Sequence, residues 1–141
     1  MITAQEIKTI ALDKGACSLI ESANSIDDLA KLLKTPQGIE FCKNHSFPSL
    51  DILREHKREL VKYDIYVDAG FVTFQNKSDV MVAGDTTAVV SIRQNDKPYF
   101  VHVLDGAKAI VNTYRYSVCQ VNVIGGDVET HQYDSSIITI K

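Results

Sequence analysis

The second half of the sequence, residues 76–141, repeats one pattern, in which every second residue of a short segment is apolar or small. Such alternation places these residues on one side of a β-strand, because successive side chains of a strand point to opposite faces. The alternating positions are Val80, Val82, Ala88, Val90, Ile92, Tyr99, Val101, Val103, Ala107, Ala109, Val111, Ser117, Cys119, Val121, Val123, Val128, Thr130, Ser136, Ile138 and Ile140. The segment centres are roughly 8 to 11 residues apart, a spacing typical of an all-β barrel, sandwich or solenoid.

The turns and the small core residues favour one of these architectures. Asp105-Gly106 is the single turn with the sequence of a two-residue hairpin loop. The inward positions are mostly Val, Ile, Ala, Ser, Thr and Cys, which make a narrow core of the kind found where strands stack in parallel coils. We therefore expect a small β-solenoid with two or three strands per coil and roughly three coils. An antiparallel β meander, barrel or sandwich is the alternative.

The first part of the chain has the apolar periodicity and the capping residues of helices. Thr3 begins a capping box, Ser25 and Ser49 precede apolar stripes, and Thr35-Pro36 suits an N-cap followed by proline. The period changes to that of a strand near Tyr63. We predict an α+β protein with a helical N-terminal region, residues 1–62, and a β-repeat domain, residues 63–141. No linker composition separates them, so we expect the two parts to pack as one unit, with the helices capping the solenoid.

The composition argues against a nucleic-acid-binding protein, a membrane protein and a secreted protein with disulfides. The net charge of −3 and the pI near 5.7 come from mixed charges without a basic stripe, so we expect no nucleic-acid partner. No apolar run reaches the roughly 18 residues of a membrane span, and the first residues lack the pattern of a signal peptide. The three widely spaced cysteines do not form a disulfide framework and are typical of buried thiols in a reducing compartment. We expect a cytoplasmic protein, or a virion component released by lysis.

Motifs that would indicate catalysis or a cofactor do not occur in the sequence. It contains no phosphate-binding glycine motif, no HExxH and no CxxC. Cys42 and His45 have a zinc-like spacing, but two ligands do not make a zinc site. We therefore predict no catalytic residues, no metal and no cofactor. An enzyme such as a lyase or hydrolase on a β-helix is the least favoured hypothesis, since a fold alone does not imply an activity.

Two groups of outward residues are candidates for binding. In a coil of two strands, Arg93, Asn112 and His131 can share one outer face, where they would suit an anion or a sugar, or serve as ordinary outer residues. His102 is also expected to point outward. A second group, near predicted coil corners, can stack on sugars, form a protein interface or pack within the fold; it consists of Tyr114, Tyr116 and Tyr133.

The last segment has the pattern of a strand whose outer edge is unprotected. Residues 136–141 are rich in β-branched side chains, with Ile138 and Ile140 at inward positions. Unpaired strand edges invite association, and the terminal repeats of soluble solenoids normally carry a polar cap. We expect a second copy or another protein to cover this edge, unless Lys141 and a bend suffice to block it.

Residues 14–17 (KGAC), residues 38–49 (GIEFCKNHSFPS) and the short β repeats after Val80 resemble a set of small uncharacterised proteins from gut bacteria and their phages. Those proteins have a helical start and a solenoid-like tail of x-A-x-V-x-A-Y repeats. Residues 107–114 (AKAIVNTY) come nearest to that repeat, and residues 97–100 depart from it. The resemblance implies a β-solenoid tail and assigns no activity or catalytic residue.

The favoured hypothesis is a non-catalytic structural or protein-interaction module that self-associates. On the resemblance, it would be a phage or mobile-element assembly component. The alternative is a carbohydrate- or anion-binding module that uses the outer β face.

Overall fold

The computed structural model describes all 141 residues and divides the chain into two compact units, residues 1–63 and residues 64–141. The first unit is helical and the second is a β-solenoid of roughly four turns, so the predicted α+β class with a C-terminal solenoid is confirmed. None of the helices is both long and apolar enough to cross a membrane.

The helical unit contains five α-helices and two short 3₁₀-helices. The α-helices are α1 (Ala4–Asp13), α2 (Ile26–Leu33), α3 (Pro36–His45), α4 (Leu50–Glu55) and α5 (Lys57–Leu60). The 3₁₀-helices are Ser18–Ser22 and Val61–Tyr63. The helix that the sequence predicts after Ser49 is divided at His56, whose φ of −113° and ψ of 16° interrupt the helical backbone.

The predicted N-caps are confirmed. The side-chain oxygens of four residues each accept a hydrogen bond from a backbone N–H in the first turn of their helix: those of Thr3, Ser25, Thr35 and Ser49. The capping box differs in one detail, because the Glu6 carboxylate accepts from the Thr3 hydroxyl at 3.1 Å instead of from the Thr3 backbone. Local sequence therefore determines where these helices begin.

The solenoid consists of two parallel sheets. Its strands are β1 (Ile65–Val67), β2 (Gly70–Gln75), β3 (Asp79–Ala83), β4 (Thr86–Ile92), β5 (Pro98–Leu104), β6 (Lys108–Thr113), β7 (Val118–Ile124), β8 (Asp127–Gln132) and β9 (Ile137–Ile140). The odd-numbered strands form a five-stranded sheet and the even-numbered strands a four-stranded sheet, both in sequence order. Every ladder is parallel, so the antiparallel alternative is wrong. The predicted three coils were one too few, because the coil of β1 and β2 precedes the clearest repeats.

The register places equivalent residues of successive coils on top of one another. Val80, Val101 and Val121 follow each other through the five-stranded sheet. Ala88 and Ala109 are paired in the four-stranded sheet. These positions are 0% exposed, which confirms the inward assignment read from the alternation. The first coil contributes Tyr66, which pairs with Val82 and packs against the same core, whereas Ile65 and Val67 are buried on the opposite face of β1.

The coil corners combine a left-handed backbone with side-chain hydrogen bonds from one coil to the next. Asn76 has a φ of 54°, and its Oδ1 accepts from the Arg93 N–H at 2.8 Å. Asp68 has a φ of 52°, and its Oδ1 accepts from the Asp85 N–H at 2.8 Å. Asn and Asp tolerate this backbone region better than most residues. These corner side chains therefore turn the chain and join neighbouring coils.

Candidate functional site

A stack of side chains runs along one corner of the solenoid, across three successive coils. The Arg93 guanidinium lies 4.1 Å from the centre of the Tyr114 ring. The Tyr114 ring lies parallel to the Tyr133 ring, with centroids 5.0 Å apart and an interplanar angle of 11°. We call Arg93, Tyr114 and Tyr133 the corner stack. Its contacts are a cation–π pair followed by an aromatic pair.

The corner stack follows from the parallel register. Arg93, Tyr114 and Tyr133 each occupy the first position after a strand of the four-stranded sheet. The backbone N–H of Tyr114 donates to the Ile92 carbonyl, and that of Tyr133 to the Thr113 carbonyl, both at 2.9 Å. Neighbouring strands of a sheet lie about 4.8 Å apart, which is close to the distance of stacked planar groups. Large planar side chains at this repeated position therefore stack.

The second feature is a polar row on the exposed face of the four-stranded sheet. The ladders align four outward residues of consecutive strands, namely Gln75, Ser91, Asn112 and His131. His131 is exposed and its Nε2 lies 2.9 Å from the Glu129 Oε2. Its ring centre is 6.5 Å from that of Tyr133, which connects the polar row to the corner stack. The structure thus brings Arg93, Asn112 and His131 to one side of the solenoid.

The side-chain contact between Glu129 and His131 lowers the pKa of the Glu129 carboxyl group. The hydrogen bond from the His131 side chain is the main reason that the pKa of Glu129 lies below its usual value. A carboxylate is favoured by a nearby donor and by nearby positive charge, here including Lys108. The amide, hydroxyl and imidazole groups of the row, together with the corner stack, have the chemistry to bind a sugar or an anion.

The third feature is the last coil, formed by β8 and β9. Ile138 and Ile140 lie above Cys119 and Val121 in the register of the five-stranded sheet. Cys119 and Val121 are 0% exposed, because a further coil covers them. Ile138 is half-buried and Ile140 is 52% exposed. Side chains at positions that are core in the preceding coil are therefore open to solvent here.

The edges of the last coil are partly closed by its own side chains. The Gln132 Oε1 accepts from the Ile138 N–H at 2.6 Å. The Asp127 Oδ1 accepts from the N–H of Val128 at 3.0 Å. Each of these bonds occupies a donor that an added strand would use, since edge strands present unpaired N–H and C=O groups.

Apolar side chains beside the last coil are exposed as well. Val118 and Ile137 are register partners on the outer face of the five-stranded sheet, with 44% and 55% of their areas exposed. Tyr116, the third predicted aromatic, lies in the turn before β7 and is 69% exposed. It has a φ of 62°. Of the three tyrosines, Tyr114 and Tyr133 stack and Tyr116 is not part of that stack.

A buried polar network on the five-stranded sheet was missed by sequence reasoning. His102 points away from the coil core, as expected, but it is only 3% exposed. Its Nε2 lies 3.0 Å from the Asp79 Oδ1, and its Nδ1 lies 3.0 Å from the Asn122 Nδ2. The Gln120 amide continues the network to the Asn122 Oδ1 at 3.1 Å. The signal available in the sequence was the polar residue at every second position of β7, Gln120 and Asn122.

This network provides a hydrogen-bond partner for each ring nitrogen of His102. The ring is also only 3% exposed to solvent. The thiol of Cys119 is unsuited to nucleophilic attack, because burial raises its pKa to about 12. The structure contains no group of three or more His, Cys, Asp or Glu side chains placed to hold a metal ion.

Comparisons with known proteins add no assignment to this geometry. The chain matches no protein-family model, and no curated protein and no solved structure is significantly similar to it.

Proposed function

We propose that this chain is a non-catalytic structural or interaction protein whose copies associate through the last coil of the solenoid. The observation that carries the proposal is the contrast between Val121 and Ile140. They are paired in register, yet Val121 is 0% exposed and Ile140 is 52% exposed. Burying an apolar side chain of this size is favourable by about 1.5–3 kcal/mol. A covering layer would therefore stabilise the last coil.

A second copy of the chain is the occupant that this surface suits best. Ile140 at the top of the coil and the pair of Val118 and Ile137 beside it are all exposed apolar side chains. An apolar surface of this kind is self-complementary when two copies are related by a two-fold axis, as in most soluble homo-oligomers. The two-fold arrangement also closes the association at a dimer, since each copy covers the other's exposed coil.

Light scattering across a dilution series of the 141-residue chain tests this proposal. We expect the mass of a dimer for the wild type and that of a monomer for Ile140→Asp, since burying a charge at the contact is costly. Phe71→Asp is the matched control, because Phe71 is 71% exposed and lies in the first coil. It should leave the mass unchanged. A monomeric wild type, or a dimer that Phe71→Asp disrupts and Ile140→Asp does not, would overturn the proposal.

A second candidate function is the binding of a carbohydrate or an anion at the corner stack and the polar row. The observation that favours it is the convergence of Arg93, Asn112 and His131 beside two stacked tyrosines. Screening neutral oligosaccharides, phosphate and sulfate by NMR distinguishes the two ligand classes. Binding that Tyr133→Ala weakens and Phe71→Asp leaves unchanged would support this function, and an absence of shifts at millimolar ligand would reject it.

The biological setting is proposed on the resemblance and on the cysteines. The resemblance supports a place in a phage or mobile-element assembly. Three free thiols, at Cys17, Cys42 and Cys119, support a reducing compartment such as the cytoplasm, or a virion released from it.

A further inference from the structure

Three alternate side chains of the last coil lie in line at the end of the four-stranded sheet. Glu129 and His131 belong to β8, Tyr133 follows it, and each of the three is about half exposed. The His131 Nε2 lies 2.9 Å from the Glu129 Oε2. On the other side, the ring centres of His131 and Tyr133 are 6.5 Å apart and their planes differ by 18°. A carboxylate, an imidazole and a phenol therefore follow one another along this coil.

The rings of His131 and Tyr133 lie side by side instead of one above the other. Rings that stack along the solenoid belong to different coils, as Tyr114 and Tyr133 do at 5.0 Å. His131 and Tyr133 belong to the same coil, and their centres are farther apart, at 6.5 Å. Together they form a nearly flat surface, and we call these two rings the ring platform.

One face of the ring platform is covered by the preceding coil, and the other face is open. Tyr114 stacks beneath Tyr133, and Asn112 is the register partner of His131. Because β8 is the last strand of the four-stranded sheet, no strand of that sheet lies on the opposite face. The ring platform therefore presents two aromatic faces to a ligand.

The charges around the ring platform argue against an anion at this position. The Glu129 carboxylate is part of the row, whereas the Arg93 guanidinium lies on the far side of Tyr114. Lys108 belongs to the preceding coil, where its register partner is Asp127. A carboxylate repels an anion, and it accepts hydrogen bonds from hydroxyl groups. A neutral ligand with flat apolar faces and with hydroxyl groups at its edge matches these groups.

We propose that the ring platform binds a neutral β-1,4-linked disaccharide unit of the glucose type. This inference rests on the second candidate function above and names its ligand class. Both faces of such a pyranose ring carry axial C–H groups, and its equatorial hydroxyl groups point outward around the edge. One sugar ring would lie over Tyr133 and the next over His131, with an edge hydroxyl donating to the Glu129 carboxylate. The equatorial linkage keeps the two sugar rings nearly flat, as two rings side by side require.

Two isomeric sugars test whether both rings are used. Methyl β-cellobioside is nearly flat, and methyl β-maltoside differs from it only in the α-1,4 linkage, which bends its two rings out of a common plane. Contact with one aromatic ring corresponds to a factor of about two to ten in affinity. We expect the Kd of the cellobioside, measured by NMR titration of the full chain, to be lower than that of the maltoside by this factor. Each titration is repeated in Ile140→Asp, because association through the last coil would compete for the same rings.

The outcomes separate this inference from the function on which it rests. Equal affinities of the two sugars, or tighter binding of adenosine than of the cellobioside, would overturn the assignment to a β-1,4-linked sugar. Binding of phosphate or sulfate without binding of either sugar would also overturn it, and would leave an anion site at the corner stack. An absence of binding by all of these compounds would overturn the second candidate function as well.

Two variants and one spectroscopic measurement locate the bound sugar. Tyr133→Ala should raise the Kd of the cellobioside by about two- to tenfold, and Glu129→Ala by about five- to tenfold for one lost hydrogen bond. Tyr116→Ala is the control and should leave the Kd unchanged, because Tyr116 is an exposed tyrosine outside the stack. In the wild type, NOEs from the C–H protons of the sugar to the rings of His131 and Tyr133 locate the ligand without any variant. A bound cellobioside that lacks these NOEs would contradict the assignment.

Discussion

The rings of Tyr114 and Tyr133 lie parallel at the same corner of successive coils, with their centroids 5.0 Å apart. A double-mutant cycle of Tyr114→Ala and Tyr133→Ala in urea unfolding should give a coupling of about 0.5–1.5 kcal/mol, as measured for other aromatic pairs. Tyr116→Ala is the control, because its side chain is 69% exposed. Its effect on the free energy of unfolding should stay within about 0.5 kcal/mol. Strict additivity of the Tyr114 and Tyr133 changes would show that the stack contributes nothing to stability.

The pKa of Glu129 should depend on the imidazole of His131. The hydrogen bond from His131 lowers it below the usual 4.5, so the carboxylate stays ionised further into acid than a free Glu. A depressed carboxyl pKa contributes to stability above the pKa of the unfolded state, and that contribution is lost as the pH falls through the folded pKa. NMR titration should show the pKa of Glu129 returning towards 4.5 in His131→Phe. A value unchanged by this substitution would mean that Lys108 or another group causes the shift.

The three cysteines should differ sharply in reactivity. Cys17 is exposed, so the expectation that it is a buried thiol is wrong, whereas Cys42 and Cys119 are buried as expected. With a pKa of about 12, roughly one Cys119 thiol in 10,000 is ionised at pH 8. We expect a thiol reagent at pH 8 to modify one cysteine rapidly in the folded protein and three after denaturation. Cys17→Ser should abolish the rapid phase, and a rapid phase that persists in this variant would contradict the assignment.

Replacing Gly38 tests how closely α2 and α3 pack, because the packing decides whether the free energy of unfolding rises or falls. A Cβ atom at this position would lie 2.1 Å from the Leu32 carbonyl oxygen and 2.7 Å from that of Leu33. Gly→Ala in a helix interior usually stabilises by about 0.5–1 kcal/mol. Because both obstructing atoms are backbone, we expect Gly38→Ala to lower the free energy of unfolding by about 1–3 kcal/mol. The neighbouring Gln37→Ala should change it little. A stabilised Gly38→Ala would show that α2 and α3 are not in close contact here.

The hydrogen bond between Gln132 and Ile138 should limit self-association. Its 2.6 Å bond occupies the Ile138 N–H. If copies associate through the last coil, Gln132→Ala should free this donor and lower the dissociation constant, by about five- to tenfold for one added hydrogen bond. Sedimentation equilibrium measures this change, with Gln75→Ala in the first coil as the control. Weaker association in Gln132→Ala would instead show that the Gln132 side chain is part of the contact.

Much of the architecture could be predicted because it depends on local patterns. Val80, Val101 and Val121 are recognisable as inward residues, since alternation reports directly on the side of a strand. Thr3 and Thr35 are recognisable as N-caps, since capping is a contact over three residues. The break at His56 was not predicted, because the apolar stripe of α4 and α5 continues through it.

The candidate sites depend on distances between side chains of different strands, which cannot be predicted from the sequence. Arg93, Tyr114 and Tyr133 stack because each residue follows its strand by one position. This equivalence is visible only once the register of the strands is known. His102 was predicted to point away from the coil core, and it does, but its burial and its bonds to Asp79 and Asn122 depend on strands far apart in the chain.

By itself, the sequence determined the helical start, most of the strands and the inward side of the strands from β3 onward, because helix caps and alternation are interactions between residues a few positions apart. Only the tertiary structure decided which side chains meet across coils, which core positions of the last coil are left exposed, and that the Nδ1 of His56 is buried without a partner. Those features depend on the parallel register and on helix packing. Both are set by the sum of many long-range contacts and by no single segment.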